Sequence, residues 1–180
     1  MRVISGTAKG RKIKAPKTNI RPLSDQAKEG LFNILGERVP DSAFLDLFAG
    51  SGNVGIEALS RGAKLAIFVE LDKRHVKVIH ENLKELSFDD RAEVYLIDAL
   101  RAIKILASKG ARFDIIFLGA PYNSPALDKA LLILDGAEIL KENGIIVAEY
   151  RFKQRIGEKL SKLKKIREQK YGDTMLSFYQ

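Results

Sequence analysis

From residue 43 onward, short and nearly unbroken apolar runs alternate with longer stretches in which apolar residues return every third or fourth position. The runs Ala43–Phe48, Leu65–Glu70, Ala92–Ile97, Phe113–Leu118 and Gly144–Tyr150 are mostly rich in Ile, Val, Leu and Phe. They predict strands buried on both faces. Between them, Val54–Arg61, Lys73–Leu86, Ala99–Ser108 and Pro125–Leu134 predict helices, and Val76, Ile79, Leu83 and Leu86 mark one apolar face of the second. Strand and helix in alternation imply parallel βαβ units with right-handed crossovers, so the expected architecture is α/β, a doubly wound and mostly parallel sheet.

Both ends break that rhythm. Lys162–Tyr171, then Gly172-Asp173, then Thr174–Gln180 predict two strands joined by a tight turn, which closes a seven-stranded sheet with an antiparallel hairpin. At the start, Val3–Ser5, a turn region over Gly6–Gly10 and Lys12–Lys14 predict a small basic hairpin or extended arm. Ser24 is placed to cap a helix over Asp25–Leu35, where Ala27, Leu31, Ile34 and Leu35 share a face. The expected division is an N-terminal extension over 1–40 and a sheet domain over 41–180.

A chain of 180 residues with 46% hydrophobic content suits one domain with a small appendage. The net charge of +8 is unevenly placed. Residues 1–22 hold seven basic side chains and no acid, and residues 151–170 hold nine against Glu158 and Glu168. Residues 23–150 carry 15 basic and 20 acidic side chains, so two basic ends flank an acidic centre. That pattern excludes a uniformly charged nucleic-acid coat. With no Cys there is neither a disulfide framework nor a thiolate metal site. His75 and His80 are five apart and lack the spacing of a paired ligand site, so no metal is expected. No apolar run nears the ~20 residues of a membrane span, and no apolar segment of a signal peptide follows the charged start. A cytoplasmic monomer without a membrane partner is the expectation.

Phe44–Gly55 reads as a strand entering a glycine loop that opens a helix, with Gly50, Gly52 and Gly55 in the order G-x-G-x-x-G. The motif lets backbone turn sharply against a ligand but does not say which ligand. The acids are more selective. Asp46 lies four residues before Gly50, where a carboxylate would repel a pyrophosphate and suit an ammonium. Glu70 ends the second strand, where it can accept from both ribose hydroxyls. Asp98 ends the third, where it can accept from an adenine amino group or cap the helix that follows. S-adenosylmethionine carries an ammonium and a sulfonium and no phosphate, so the set favours it over a dinucleotide. Phe48, Ala49, Ser51 and Asn53 of the loop, with Leu71 and Ala99 beside the strand-end acids, complete the cofactor candidates. Asp72 is better read as the cap of the helix at Lys73, and the two histidines as surface or packing residues.

With loop, acids and terminal hairpin in place, the chain resembles the class I S-adenosylmethionine-dependent methyltransferases, which share a Rossmann-like sheet. More narrowly it resembles the RsmD-like family, which methylates the exocyclic N2 of a guanine in small-subunit (16S) ribosomal RNA. The resemblance runs nearly end to end: Arg2-Val-Ile-Ser-Gly6, Gly10-Arg11-Lys12, Arg21-Pro22-Leu-Ser-Asp25, Leu31-Phe32-Asn33-Ile34-Leu35, Asp46-Leu-Phe-Ala-Gly-Ser-Gly52, Gly55-Ile-Glu-Ala-Leu-Ser-Arg-Gly62 and Tyr171-Gly-Asp-Thr174. It implies ribosomal RNA or a 30S assembly particle as partner, with Arg2, Arg11, Lys12 and Arg21 on RNA phosphates. The block Arg151–Lys170 is either a solvated face or a further basic patch.

The family's catalytic motif, Asp-Pro-Pro-Tyr or Asp-Pro-Pro-Phe, falls on Gly119-Ala120-Pro121-Tyr122. Gly119, Pro121 and Tyr122 are therefore the catalytic candidates, with Tyr122 also placed to stack a flipped base, a contact worth about 1–3 kcal/mol. Gly119 keeps a backbone carbonyl but lacks the carboxylate that holds the amino group in line with the methyl carbon. Losing such a contact costs about one to three orders of magnitude in rate, at ~1.4 kcal/mol per decade. Asp114 lies too far back in its strand to substitute, and Asn123 is the nearest polar side chain. Three readings stand: catalysis with the Gly119 carbonyl alone, RNA binding without catalysis, or an altered variant. DNA adenine methylation shares the motif, and charge does not separate the two polymers. A nicotinamide-dependent oxidoreductase draws only on the glycines and Glu70, with Asp46 and the hairpin against it.

Overall fold

The alternation of apolar runs and amphipathic stretches resolves, in a computed structural model that describes residues 1–17, 22–122 and 124–180, into a seven-stranded sheet with helices on both faces. In chain order the elements are α1 (Asp25–Leu35), β1 (Ala43–Leu47), α2 (Asn53–Ser60), β2 (Leu65–Glu70), α3 (Lys73–Leu86), β3 (Ala92–Leu96), α4 (Ala99–Ser108), β4 (Phe113–Leu118), α5 (Ala126–Gly136), β5 (Leu140–Arg151), β6 (Lys165–Tyr171) and β7 (Thr174–Tyr179). The strand order is β3-β2-β1-β4-β5-β7-β6, parallel through β5 and antiparallel in the last two.

Each sheet face has its own core. Leu31, Phe32, Phe44, Phe68 and Phe117 pack on the side of α1, α2 and α3. Leu45, Leu47, Ile103, Ile116 and Leu131 pack on the side of α4 and α5. Strand order reverses between β1 and β4, and the backbone N–H of Gly119 donates to the Leu47 carbonyl at 3.2 Å. The turns that leave β1 and β4 thus meet at the crevice where open α/β sheets hold ligands.

Three expectations shift. The third run is not buried on both faces: β3 is the edge strand of the sheet, and Leu96 at its end is 51% exposed. The fifth strand begins at Leu140, not Gly144, since Leu140 pairs with Phe113 before the register jumps to Ile115–Ile145 across a bulge. The sixth begins at Lys165 because Asp135 captures the chain before it: its carboxylate accepts from the backbone N–H of Ser161, Lys162 and Leu163 at 2.7–2.8 Å. Those bonds, led by the one from Leu163, hold the Asp135 carboxyl far below the usual range.

The arm is a small hairpin, with Arg2 bridged to Lys12 and Val3 N–H donating to the Arg11 carbonyl at 2.9 Å. Val3 and Ile13 reach the same core as α1 and α2. Gly6 is required: a Cβ there would lie 1.8 Å from the Ser60 carbonyl oxygen, and its φ is +83°. Ser24 caps α1, its side chain accepting from Ala27 N–H. Among the described residues no helix is long and apolar enough to cross a membrane, and no group of three His, Cys, Asp or Glu is arranged to hold a metal.

Candidate functional site

The three glycines have separate tasks. Gly50 and Gly52 have φ of +57° and +77°, a left-handed backbone that turns the chain out of β1 and into α2. Gly55 is inside the helix, where a Cβ would lie 2.4 Å from the Phe68 ring, so its absence lets α2 close on the sheet. Phe48 takes φ +66° without being glycine, a strained position at the mouth of the loop.

Glu70 clamps that loop. Its Oε2 accepts from Gly50 N–H at 2.7 Å, and its Oε1 accepts from Leu71 and Asp72 N–H at 2.8 and 2.9 Å. His75 Nδ1 lies 3.5 Å from Oε1. Each carboxylate oxygen has two lone pairs, so Oε2 retains capacity for a hydroxyl donor. Asp98 caps α4 by accepting from Arg101 N–H at 3.0 Å, the local role foreseen as its alternative. Asp72 caps α3, accepting from Arg74 N–H, as its position implied.

Asp46 is buried and its Oδ2 accepts from Gly55 N–H at 2.9 Å. Burial, reinforced by the Glu70 and Glu149 charges, pushes its carboxyl up to about 7 against the lowering bond from Gly55.

A cleft of about 880 Å³, a size suited to a small-molecule ligand, opens at the C-terminal ends of the strands. Phe48, Gly50, Glu70, Leu71, Asp98, Ala99, Gly119, Pro121 and Tyr122 line it together. A cavity of about 60 Å³ behind the loop takes Asp46, Ala49, Ser51 and Asn53, and shares Phe48, Gly50 and Gly119 with the cleft. Gly52 lines neither and acts through the turn.

The Tyr122 hydroxyl donates to Glu149 Oε1 at 2.8 Å and lies 3.0 Å from Thr174 Oγ1. The ring is thus tethered at its tip to β5 and β7 while it lines the cleft. Glu149 was not among the residues singled out from the sequence. It is the acid near the end of β5, buried at 7% exposure, and it lines both cavities. It lies between Ala148 and Tyr150, inside the run Gly144–Tyr150, so a rule that selects the acid closing an apolar run passes it over.

None of the arm's described basic residues lines the cleft. Arg2 pairs with Asp25 at 3.3 Å, Arg11 donates to the Glu85 carbonyl on α3, and Lys12 is exposed. Arg21 lies outside the described residues, as does Asn123. The arm is nevertheless wired to the loop. Lys28, fully buried on α1, donates to the Arg2 carbonyl and to Asn53 Oδ1, each at 2.7 Å, and sits 3.3 Å from buried Glu57. Glu57 in turn accepts from Ile4 and Ser5 N–H at 2.8 and 3.0 Å. Ser51 Oγ contacts the Met1 sulfur at 3.6 Å.

The family model described as "Conserved hypothetical protein 95" matches residues 1–180. A Bacillus subtilis protein named "Putative rRNA methyltransferase YlbH" is 41% identical over 181 residues, covering 100% of this chain and 98% of its own length. "Ribosomal RNA small subunit methyltransferase D" of Buchnera aphidicola subsp. Acyrthosiphon pisum is 36% identical over 155 residues, covering 86% of this chain and 80% of its own. Among solved structures, "Putative methyltransferase yhhF from Escherichia coli" superposes with a TM-score of 0.84 at 31% identity, over 100% of this chain and 97% of that one.

Proposed function

Because the chain belongs to the RsmD family of ribosomal RNA small subunit methyltransferases, we propose that it methylates the exocyclic N2 of a guanine in small-subunit ribosomal RNA, with S-adenosylmethionine as donor. The observation that carries the reading is the charge of the cleft. Glu70, Asp72, Asp98 and Glu149 line it, with Lys73 the lone lysine or arginine among the described lining residues. Such a cleft favours a cationic ligand and opposes a pyrophosphate beside the same glycine loop. The site therefore fits S-adenosylmethionine, which when bound supplies an electrophilic methyl on a sulfonium.

The chain's residues divide the remaining work. Gly50 and Gly52 bring backbone close to the ligand, Glu70 accepts from the ribose hydroxyls, and Asp98 with Ala99 receives the adenine. Buried Asp46, once ionised, places a negative charge behind the loop on the side of the ammonium. The Gly119 carbonyl accepts one N–H of the target amino group, and Pro121 holds the turn. Tyr122, its hydroxyl tethered to Glu149, offers its ring to a base drawn out of the RNA. Arg2, Arg11, Lys12 and Arg21 meet RNA phosphates and set register without reading sequence.

The test is calorimetry with S-adenosylmethionine and with NAD, followed by methyl transfer to unmodified small-subunit RNA and to 30S particles, with duplex DNA as control. Binding of S-adenosylmethionine alone and transfer to RNA support the reading. No binding at millimolar S-adenosylmethionine refutes it, and transfer confined to DNA adenine replaces its substrate.

A further inference from the structure

An exocyclic amino group is a weak nucleophile because its lone pair is delocalised into the ring. To react it must be held by acceptors on its N–H bonds, so that the lone pair faces the methyl carbon. Gly119 supplies one acceptor, its carbonyl, and no side chain. Asp46, Glu70 and Asp98 accept from backbone N–H groups, of Gly55, of Gly50, Leu71 and Asp72, and of Arg101 respectively, and the reading above assigns their remaining capacity to the cofactor.

Glu149 comes from the other side of β4, on β5. β4 and β5 are parallel with Leu118 opposite Ala148, so Gly119, the first residue beyond β4, lies beside Glu149, which is still within β5 and pairs with Leu176 of β7. Tyr122 engages Oε1, and Oε2 is the oxygen turned to Gly119, where an ideal Cβ would sit 3.6 Å away. The Glu149 carboxylate thus lies close to the space that a carboxylate on residue 119 would occupy. Glu149 also lines the cleft and the cavity behind it, with Gly119 between them.

We propose that Glu149 is the carboxylate that orients the target amino group, doing from β5 what the end of β4 cannot do through Gly119. The proposal rests on the methyltransferase reading above and extends it to a residue and a step. One N–H of the amino group is held by the Gly119 carbonyl and the other by Glu149. The nitrogen lone pair forms the bond to the methyl carbon, and the carbon–sulfur pair stays with sulfur, which becomes a neutral thioether. The nitrogen, now cationic, releases one proton to Glu149, from which it passes to water in the cleft. The hydrogen bond from Tyr122 fixes the carboxylate and couples the stacking ring to the acceptor. Gly119 has a complementary part: without a side chain there, no second carboxylate crowds Glu149. Two acids at that spacing would raise the pKa of one of them.

Four proteins test this: the wild type, Glu149→Gln, Gly119→Asp, and the double variant Gly119→Asp/Glu149→Gln. Turnover on small-subunit RNA is read beside S-adenosylmethionine affinity by calorimetry and melting temperature. Gln retains an oxygen for the Tyr122 hydroxyl but neither the charge nor the proton acceptor. Glu149→Gln is expected to lower kcat by about 100-fold with KM for RNA and cofactor affinity within about threefold. Gly119→Asp alone gives no gain at neutral pH and moves the pH–rate profile upward. The double variant regains at least about tenfold over Glu149→Gln, because the carboxylate returns from the neighbouring strand. A second readout needs no turnover. With S-adenosylhomocysteine present, wild type binds an RNA hairpin carrying the target guanine more tightly than the same hairpin with inosine, which lacks the amino group, and Glu149→Gln binds both alike. Wild-type turnover together with a Glu149→Gln kcat within threefold overturns the role of Glu149 and leaves the methyltransferase reading standing. A loss that Gly119→Asp does not rescue, in a folded protein, also overturns it. A wild type that binds S-adenosylmethionine and transfers no methyl to RNA overturns both.

Discussion

Replacing Asp46 by Asn should change how stability depends on pH, and the structure sets the size. Its carboxyl is pushed from 3.8 up to about 7 by burial, with the Glu70 and Glu149 charges adding to the same direction. Below pH 3.8 the group is protonated in both folded and unfolded chains and contributes nothing. Between 3.8 and about 7 the unfolded chain ionises while the folded one keeps its proton, so stability falls as pH rises. At ~1.4 kcal/mol per pH unit, the full window amounts to about 4 kcal/mol. Between pH 5 and pH 8 the wild type should therefore lose about 3 kcal/mol more than Asp46→Asn, whose amide oxygen can still accept from Gly55 N–H. Urea unfolding of both proteins at the two pH values measures the difference. Equal pH dependence in the two would refute the reasoning. So would a wild type that gains stability relative to the variant as pH rises.

The same residue should tie cofactor binding to pH: if the ligand ammonium meets ionised Asp46, wild-type affinity rises about tenfold from pH 6 to pH 8 relative to Asp46→Asn, by calorimetry. The ligand's own titration is common to both proteins and cancels in the ratio. Lys28→Met leaves buried Glu57 with Arg61, at 2.8 Å, as its remaining cation and strips the Arg2 carbonyl and Asn53 Oδ1 of their donor, and should destabilise the fold by about 2–3 kcal/mol in urea unfolding; a loss under about 1 kcal/mol would contradict a buried lysine that carries the arm. Arg11→Ala with Lys12→Ala should weaken RNA binding and flatten its salt dependence by up to about two units of slope, with cofactor affinity unchanged. Unchanged affinity and slope would move the RNA surface away from the arm.

Much of this was legible because periodicity and strand ends carry local information. Lys73–Leu86 and Ala99–Ser108 form as their apolar spacing implied, and Ser24 and Asp72 cap as their positions implied. What was not legible depends on partners distant in the chain. The exposure of Leu96 follows from β3 lying at the edge, a matter of strand order that no local pattern encodes. The late start of β6 follows from Asp135, 26 residues before the first backbone N–H it captures. Lys28 lay open to inspection on the face of Leu31, Phe32 and Leu35, a cation at a core position, yet its acceptors Arg2 and Asn53 come from elsewhere in the fold. Glu149 sits inside an apolar run that reads as core, and only the parallel register beside β4 brings it to Gly119.

The decisive experiment incubates the protein with S-adenosylmethionine labelled in its methyl group and unmodified small-subunit RNA, then digests the RNA to nucleosides. Wild type should place label in N2-methylguanosine, approaching about one methyl per RNA, and Glu149→Gln far less in the same time. Label in another nucleoside, or no label from a protein that binds S-adenosylmethionine, would contradict the proposed function.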